Sequence, residues 1–326
     1  MLLTYSREAN HLTPAQTGAA DPLAIVWYDL INPSREEETL VEQALGIGIP
    51  TRAEMDEIEL SARLYQEDGA EFMTATVLMG LETGDPVRKP VTFILKGKTL
   101  VTVRHADSRP FSAFAARCQK PNGTICSDGE AVMVGVMESI IDRMADVLER
   151  AGNEIDTISR EVFRRKVSNA TKKTRDLQSL IEQIGQKGDF LTAIRESLVS
   201  ITRLVAYHAA LDSPQRKSTK EVKQRIKLVQ RDARSLGEHA NFLSSKINFL
   251  LDATLGLINL EQNQIIKIFS VAAVVFLPPT LVASIYGMNF EIMPELHWDF
   301  GYPMAIGMMI TSAIVPYLFF KRRGWL

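Results

Sequence analysis

The sequence predicts an α/β domain at the N-terminus, a long helical region after it, and two transmembrane helices at the C-terminus. The apolar stretches 268–286 and 302–320 are each close to the ~20 residues that cross a hydrocarbon core of ~30 Å. Short β-branched runs separated by turn residues occur before residue 125, whereas apolar residues at helical spacing occur after it. The chain is therefore divided into a body that stays in water and a hairpin that crosses the membrane.

Residues 1–125 carry both strand and helix signals, which predicts a cytoplasmic α/β domain. The β-branched runs Val91 to Leu95 and Thr99 to Val103 flank Gly97, a pattern typical of a hairpin. Ser34 is followed three residues later by Glu37, which predicts a capping box and a helix start. Further strands are predicted at Ala24 to Trp27 and Glu71 to Leu81, and a second helix at Thr51 to Leu64.

Residues 126–214 are predicted to form a pair of long cytoplasmic helices. Their apolar residues recur at helical spacing: Met133, Val136, Ile140, Met144, Val147 and Ile155, then Leu191, Ile194, Leu198, Ile201, Val205 and His208. The segment from Gly185 to Gly188 is expected to break the helices, and Asp212 to Pro214 is expected to end the second one.

Residues 215–267 are predicted to form a stalk helix that continues into the first membrane span. Apolar or small residues follow one another at spacings of four and three: Val222, Ile226, Val229, Ala233, Leu236, Ala240, Leu243, Ile247, Leu250, Thr254 and Leu257. No Pro occurs between Gln215 and Leu277, so nothing in this stretch stops the helix.

Charge predicts the orientation of the hairpin. Lys267 precedes the first span (268–286), and the tail 321–326 begins with Lys321, Arg322 and Arg323. The connecting loop 287–301 carries Asp299 and two glutamates but no Lys or Arg. Positive flanks stay in the cytoplasm, so we expect a multi-pass protein with both termini cytoplasmic and this loop outside.

Composition and motifs disfavour several function classes. The 37 Lys and Arg residues balance 39 Asp and Glu residues, which gives no support for a nucleic-acid partner. No P-loop, Gly-x-Ser-x-Gly or His-Glu-x-x-His motif occurs, so an enzyme is disfavoured and no organic cofactor is expected. Cys118 and Cys126 are expected to be free thiols, and the five histidines show no metal-ligand spacing.

The first span carries a polar stripe, which we define by residues that recur every three or four positions: Asn263, Ile266, Ser270, Ala273, Leu277, Thr280 and Ser284. Polar groups in hydrocarbon are costly unless they face a cavity or another helix. Two helices per subunit cannot enclose a polar path, so a transport function requires several subunits. The alternative is that Ser270, Thr280 and Ser284 bond to their own helix or join helices together, and the stripe alone leaves both open.

A short motif follows the first span. The sequence there is Tyr286, Gly287, Met288, Asn289 and Phe290. Its surroundings include Pro278 and Pro279 before it, and Met293 to Leu296, Trp298, Gly301 to Pro303 and Lys321 to Leu326 after it. This combination of sequence features closely resembles that of the CorA family of bacterial magnesium channels, and the match is densest from Phe249 to Leu326. Upstream, the resemblance is confined to patches such as Trp27 to Leu30.

The resemblance implies a CorA-like homopentameric funnel in the bacterial inner membrane, with the first span lining the pore. It implies passage of hydrated Mg²⁺, and of Co²⁺ and Ni²⁺. Gly287, Met288 and Asn289 are expected to form the selectivity filter, with Glu291 and Glu295 attracting cations to its mouth. Deeper in the pore, Thr280 and Asn263 are expected to form polar rings, while Leu277, Phe269 and Ile266 narrow it.

The resemblance also implies that cytoplasmic Mg²⁺ is a regulatory ion that binds acidic residues between subunits and holds the pore shut. Candidates in this chain are Asp232, Glu238, Glu67, Asp68 and Asp85. Two alternative functions stay open: a zinc transporter of the same superfamily, against which Met288 argues, and a membrane-tethered sensor or scaffold that assembles through the heptad stalk.

Overall fold

The computed structural model describes residues 1–8, 11–15, 24–81, 86–120, 126–164, 170–211, 219–289 and 293–324. They form two compact units, Met1–Lys166 with Ser179–Leu250, and Val167–Gln178 with Leu251–Leu326. The predicted class, an α/β domain with long helices and two apolar C-terminal helices, is confirmed. The predicted limits at residues 125 and 214 lie outside the described residues.

The first unit contains a seven-stranded mixed sheet. Its strands are β1 (Leu2–Glu8), β2 (His11–Ala15), β3 (Ile25–Ile31), β4 (Leu64–Glu67), β5 (Ala70–Met79), β6 (Val87–Lys96) and β7 (Thr99–Arg104). Their spatial order is β2-β1-β3-β7-β6-β5-β4. The β3 and β7 pair is parallel, and the other neighbouring pairs are antiparallel.

Eight α-helices accompany the sheet within the described part of the chain. They are α1 (Arg35–Leu45), α2 (Arg52–Asp56), α3 (Leu60–Arg63), α4 (Arg109–Cys118), α5 (Gly129–Arg164), α6 (Ala170–Ala210), α7 (Lys220–Tyr286) and α8 (Gly301–Arg322). A short 3-10 helix, Pro294–His297, lies between α7 and α8.

Two local predictions in the α/β domain are confirmed. Gly97 has a φ of 61° in the turn between β6 and β7, a conformation that glycine adopts without steric cost. At the start of α1, the backbone N–H of Glu37 donates to Ser34 Oγ, and the Ser34 N–H donates to a Glu37 carboxylate oxygen. The capping box therefore satisfies two amide groups that the helix leaves free.

The single helix predicted over Thr51 to Leu64 is wrong. It is divided into α2 and α3, because Glu57 leaves the helical conformation at φ −59° and ψ 145°. The chain then enters β4, which pairs with β5 through a two-residue turn of Asp68 and Gly69. Both turn residues have positive φ, 50° and 72°, as the tight hairpin turns that match strand twist require.

The predicted break between Gly185 and Gly188 is also wrong, since α6 runs through both glycines. A glycine in a helix interior costs only about 1 kcal/mol relative to alanine. Burial of the apolar side chains on one face of α6 stabilises the helix by more than this cost. These residues are Leu177, Leu180, Ile184, Leu191, Ile194, Leu198, Ile201 and Val205. A Cβ at Gly188 would lie 3.6 Å from Cγ2 of Ile247 on α7, which is an ordinary packing contact.

The heptad pattern of α7 lies largely in the interior of the subunit. Its buried members are Val222, Ile226, Val229, Ala233, Ala240, Leu243, Ile247, Leu250 and Thr254. Arg225 on this helix donates to both carboxylate oxygens of Glu138 on α5, at 2.9 and 2.7 Å. The N-terminal part of α7 is therefore held against α5 within one chain, and the helix continues to Tyr286.

A buried ion pair joins the parallel strands β3 and β7. Arg104 donates from Nε and Nη2 to the two carboxylate oxygens of Asp29, at 3.1 and 2.9 Å, and both side chains are 2% exposed. Thr102 also donates to Asp29 at 2.8 Å, and Trp27 donates to Thr102 at 2.9 Å. The patch from Trp27 to Leu30 therefore contains the polar centre of the sheet.

A second buried polar cluster connects the sheet to two long helices. His208 on α6 places Nδ1 2.9 Å from Glu71 on β5, and Nε2 3.1 Å from Glu130 on α5. All three side chains are less than 10% exposed. The histidines were expected to be ordinary core or surface residues, and this one bridges two carboxylates from different elements.

Candidate functional site

The second unit contains two helical segments long and apolar enough to cross a membrane. Their apolar windows have mean hydropathies of 2.2 in α7 and 1.7 in α8, and only 6% of each window is buried inside the subunit. The core helix of a soluble protein would be mostly buried, and a signal sequence would lie near the N-terminus. Exposed apolar side chains near the C-terminus instead favour contact with lipid or with other subunits.

The predicted filter residues lie where α7 ends. Gly287 donates its N–H to the carbonyl oxygen of Ala283 at 2.9 Å, and Met288 donates to Ile285 at 3.3 Å. Asn289 follows outside the helix, and all three filter residues are exposed in the single subunit. The Asn289 side chain is therefore accessible from outside the single subunit.

The polar stripe and Phe269 lie on exposed positions of α7. The covered positions of the same segment recur at helical spacing on another face: Val271, Val275, Pro278, Val282 and Tyr286. At 3.6 residues per turn, these two sets lie on opposite sides of the helix. The structure thus leaves the whole predicted pore face uncovered in the single subunit.

Thr280 is a member of the polar stripe for which two interpretations are open: it faces a polar cavity, or it bonds to the backbone of its own helix. Its hydroxyl donates to the carbonyl oxygen of Phe276 at 2.7 Å, which is the back-bond that the alternative expects. A hydroxyl engaged as a donor keeps its acceptor lone pairs. Thr280 therefore offers neutral acceptors to the hydrogens of water, and both interpretations apply to the same side chain.

The segment between α7 and α8 is described only in part. Glu291 lies outside the described residues, and Glu295 lies in the short 3-10 helix with its side chain outside the described part. Trp298 is 59% exposed, and its carbonyl oxygen accepts the N–H of Gly301 at 2.9 Å. Tyr302 is also exposed. Exposed aromatic residues at the end of an apolar helix are typical of a membrane interface.

The regulatory candidates of the α/β domain lie in or beside turns. Glu67 ends β4, and Asp68 occupies the first turn position of the hairpin to β5. Asp tolerates positive φ better than most residues, so turn chemistry alone explains its presence there. Asp85 lies outside the described residues.

The regulatory candidates of α7 already have basic partners. Glu238 accepts from Arg234 at 3.3 Å and lines an open cleft of about 840 Å³ that also contains Arg63, Arg195 and Arg203. These arginines oppose binding of a cation to Glu238. Within the described residues of one subunit, no group of three or more His, Cys, Asp or Glu side chains has a geometry that could hold a metal ion.

Asp232 lies in a different electrostatic environment. It accepts from Arg231 at 3.0 Å, and its negative charge acts on Asp142 of α5. The pKa of Asp142 is raised, first by burial and then by Glu138, Asp146 and Asp232, against the opposing effect of Arg117. Burial is the main cause of this shift, Arg117 has the largest charge effect, and Asp232 is the last of the three carboxylates that oppose it.

Comparison with known proteins places the chain among transport proteins. The model of the family described as CorA-like Mg²⁺ transporter protein matches residues 23–322. The chain is 35% identical over 332 residues to the magnesium transport protein CorA of Escherichia coli K12, with 100% of both chains covered. The protein of the same name from Yersinia pseudotuberculosis serotype I matches to the same extent.

Solved structures share the fold. The complete structure of the CorA magnesium transporter from Methanocaldococcus jannaschii gives a TM-score of 0.81 at 17% identity, covering 100% of this chain and 99% of that one. The cytoplasmic domain of ZntB from Vibrio parahaemolyticus gives a TM-score of 0.56 at 12% identity, covering 79% of this chain and 97% of that one.

Proposed function

The chain belongs to the CorA-like Mg²⁺ transporter family, and from this premise we propose that it conducts hydrated Mg²⁺ through a pore lined by α7. The observation that carries the proposal is the location of Gly287, Met288 and Asn289. They lie exposed at the end of an apolar helix whose length suits a membrane. An ion entrance requires acceptor groups at this boundary between helix and water.

The chemistry of Asn289 suits a hydrated ion. Mg²⁺ gives up its octahedral water shell reluctantly, so an entrance can bind it through acceptors for the hydrogens of that shell. A ring of Asn289 amide oxygens would supply such acceptors without a net charge. A ring of carboxylates would instead hold a divalent ion longer and slow its release.

Several copies of α7 are required around the path. Two membrane helices in one subunit cannot enclose a polar channel, and the polar stripe is exposed in the isolated subunit. We propose a homopentamer in which the stripes of five copies face one axis. The exposed second helix α8 then faces lipid, which suits its mean hydropathy of 1.7.

The same arrangement provides a gate. Leu277, Phe269 and Ile266 are between 61% and 71% exposed in the single subunit, so five copies would bring apolar rings together at these levels. Narrow apolar rings expel water and block ions without a moving plug. Thr280 above them and Asn263 below them would form polar resting positions for the hydrated ion.

The positive flanks support one orientation of the protein in the membrane. Lys321, Arg322 and Arg323 end or follow α8, and Lys267 lies before the apolar part of α7. We propose a bacterial inner-membrane protein with both termini in the cytoplasm. Glu291 and Glu295 would then lie outside, where their charge raises the local concentration of cations at the entrance.

We propose that cytoplasmic Mg²⁺ also closes the channel. An ion biases a gate only when it binds the closed state more tightly, and carboxylates from two neighbouring subunits would supply that difference. Asp232 is the candidate that we propose in α7, where it lies on an exposed position and pairs with Arg231. Glu238 is less suited, because it lies among arginines.

Two other functions are weaker. A zinc transporter of the same superfamily is disfavoured because the 35% identical full-length relatives are named magnesium transport proteins. A membrane-tethered scaffold that assembles through its heptads is disfavoured because most heptad residues are buried within one chain. We infer no enzymatic activity, and we expect Co²⁺ and Ni²⁺ to pass because their hydrated ions resemble that of Mg²⁺.

The direct test is ion flux into lipid vesicles that contain the purified full-length chain and a Mg²⁺-sensitive dye. Magnesium entry that is absent from empty vesicles supports the proposal, with entry of Co²⁺ and Ni²⁺ measured in parallel. Flux of Zn²⁺ without flux of Mg²⁺ would favour the zinc alternative. Assembled protein that passes no divalent ion would favour the scaffold.

A further inference from the structure

A pair of buried thiols lies outside the ion pathway, in the first unit. Cys118 is the last residue of α4, and Cys126 lies three residues before α5. Both side chains are 0% exposed, and their Sγ atoms are 3.0 Å apart. They are the only two cysteines of the chain, and neither is in a disulfide. We propose that Cys118 and Cys126 are a reversible redox pair that closes into an intramolecular disulfide on oxidation.

The backbone on both sides of the pair is fixed by local contacts. At the end of α4, the N–H of Gln119 donates to the carbonyl oxygen of Ala115 at 3.2 Å. At the start of α5, Asp128 accepts the N–H of Ala131 at 2.9 Å. The fold therefore brings the two sulfurs to 3.0 Å, and they must approach by about 1 Å to reach the ~2.05 Å of a disulfide bond.

Glycine at position 135 allows α4 and α5 to approach closely. A Cβ at Gly135 would lie 2.2 Å from the ring of Phe114, a distance that no side chain can occupy. Phe114 is one turn before Cys118 on α4 and is fully buried. The close packing of these helices therefore determines where the Cys118 sulfur lies.

The two thiols differ in acidity. The hydrogen bond with Cys118 lowers the pKa of Cys126, and the positive charges of Arg225 and Arg117 add to this effect against the opposing effect of burial. The same hydrogen bond and burial raise the pKa of Cys118. The thiolate is the reactive form of cysteine, so Cys126 is the nucleophile and Cys118 is the partner that resolves the intermediate.

The oxidation is balanced with a peroxide as the oxidant. The Cys126 thiolate attacks one oxygen of hydrogen peroxide, the O–O bond breaks, and a sulfenic acid forms while the released hydroxide takes up a proton as water. The Cys118 sulfur then attacks the sulfenic sulfur, the S–O bond breaks, and a second water leaves with the Cys118 proton. Two thiols and one peroxide thus give one disulfide and two waters, and a dithiol reductant reverses the change.

The test uses the purified full-length chain and counts its thiols by intact mass. The protein is treated with hydrogen peroxide, unfolded, and alkylated with a maleimide before mass measurement. We expect both maleimide adducts to be lost together, with the chain lighter by two hydrogen atoms, and both adducts to return after dithiothreitol. A non-reducing gel run in parallel should show only single chains.

Two variants serve as matched controls, because each leaves one thiol. Neither Cys118→Ser nor Cys126→Ser can form the internal bond, so we expect each to keep its adduct or to gain oxygen. The main result comes from the unaltered chain, so a variant that fails to fold does not weaken it. The proposal would be overturned by an unaltered chain that keeps both adducts, that gains oxygen instead of losing hydrogen, or that cross-links to a second chain.

Discussion

Gly287 and Ala283 are in close backbone contact at the end of α7. The Gly287 N–H donates to the Ala283 carbonyl oxygen at 2.9 Å, and a Cβ at position 287 would lie 2.9 Å from the same oxygen. Real Cβ atoms essentially never approach so closely, so a side chain at 287 must shift the backbone that leads to Asn289. The glycine is therefore a geometric requirement of the backbone that leads from α7 to Asn289.

Gly287→Ala is expected to reduce Mg²⁺ flux in vesicles by about tenfold, equivalent to ~1.4 kcal/mol at the barrier, because it displaces the Asn289 acceptor. The matched control is Gly307→Ala in α8, where a Cβ would meet nothing within 4 Å. The control should conduct like the parent. Equal flux from both variants would mean that the contact with Ala283 does not position the filter.

Leu277→Asn and Phe269→Ser are each expected to leak Mg²⁺ even when internal Mg²⁺ is high. A polar ring retains water and removes the dewetting barrier that we assign to these exposed positions. Leu277→Val keeps an apolar ring and should close like the parent. If the two polar variants conduct like the parent at every Mg²⁺ concentration, the gate lies elsewhere.

His208→Ala is expected to destabilise the first unit by about 3–5 kcal/mol, because it leaves two buried carboxylates without their shared partner. Chemical denaturation of the purified chain measures the loss. His239→Ala, at an exposed position of α7, is the control and should change the free energy of unfolding by less than ~0.5 kcal/mol. Similar effects of both substitutions would contradict a bridging role for His208.

The double variant Asp232→Asn with Asp68→Asn tests regulation. Asn adopts positive φ as readily as Asp, so the turn at position 68 should survive while its charge is lost. We expect this variant to show high flux and high protease sensitivity in millimolar Mg²⁺, conditions in which the parent is closed and protected. A variant that stays closed and protected would exclude these two residues as the sensor.

Features set by neighbouring residues could be predicted from the sequence. The capping box of Ser34 and Glu37, the hairpin at Gly97 and the apolar spans each depend on chemistry within a few residues. The position of Gly287, Met288 and Asn289 just past the end of α7 was predictable for the same reason, since a helix end and its following residues are adjacent in the chain.

Features set by distant residues could not be predicted. The helix expected from Thr51 to Leu64 is divided at Glu57, which adopts an extended conformation between α2 and α3. The break expected at Gly185 does not occur, because the free energy gained by burying the apolar face of α6 outweighs the low helix propensity of glycine. The partners of His208 lie 137 and 78 residues away, a separation that no local pattern reports.

The central claim is that a ring of Asn289 oxygens selects hydrated Mg²⁺. The most direct test is the Mg²⁺ flux into vesicles that contain the Asn289→Ala variant. The substitution removes the acceptor and leaves the buried heptad contacts of α7 unchanged. We predict a pentamer of normal size with Mg²⁺ flux reduced by about tenfold or more, as expected for the loss of a hydrogen bond worth ~1.5 kcal/mol. Mg²⁺ flux close to that of the parent, from a normally assembled variant, would contradict the account.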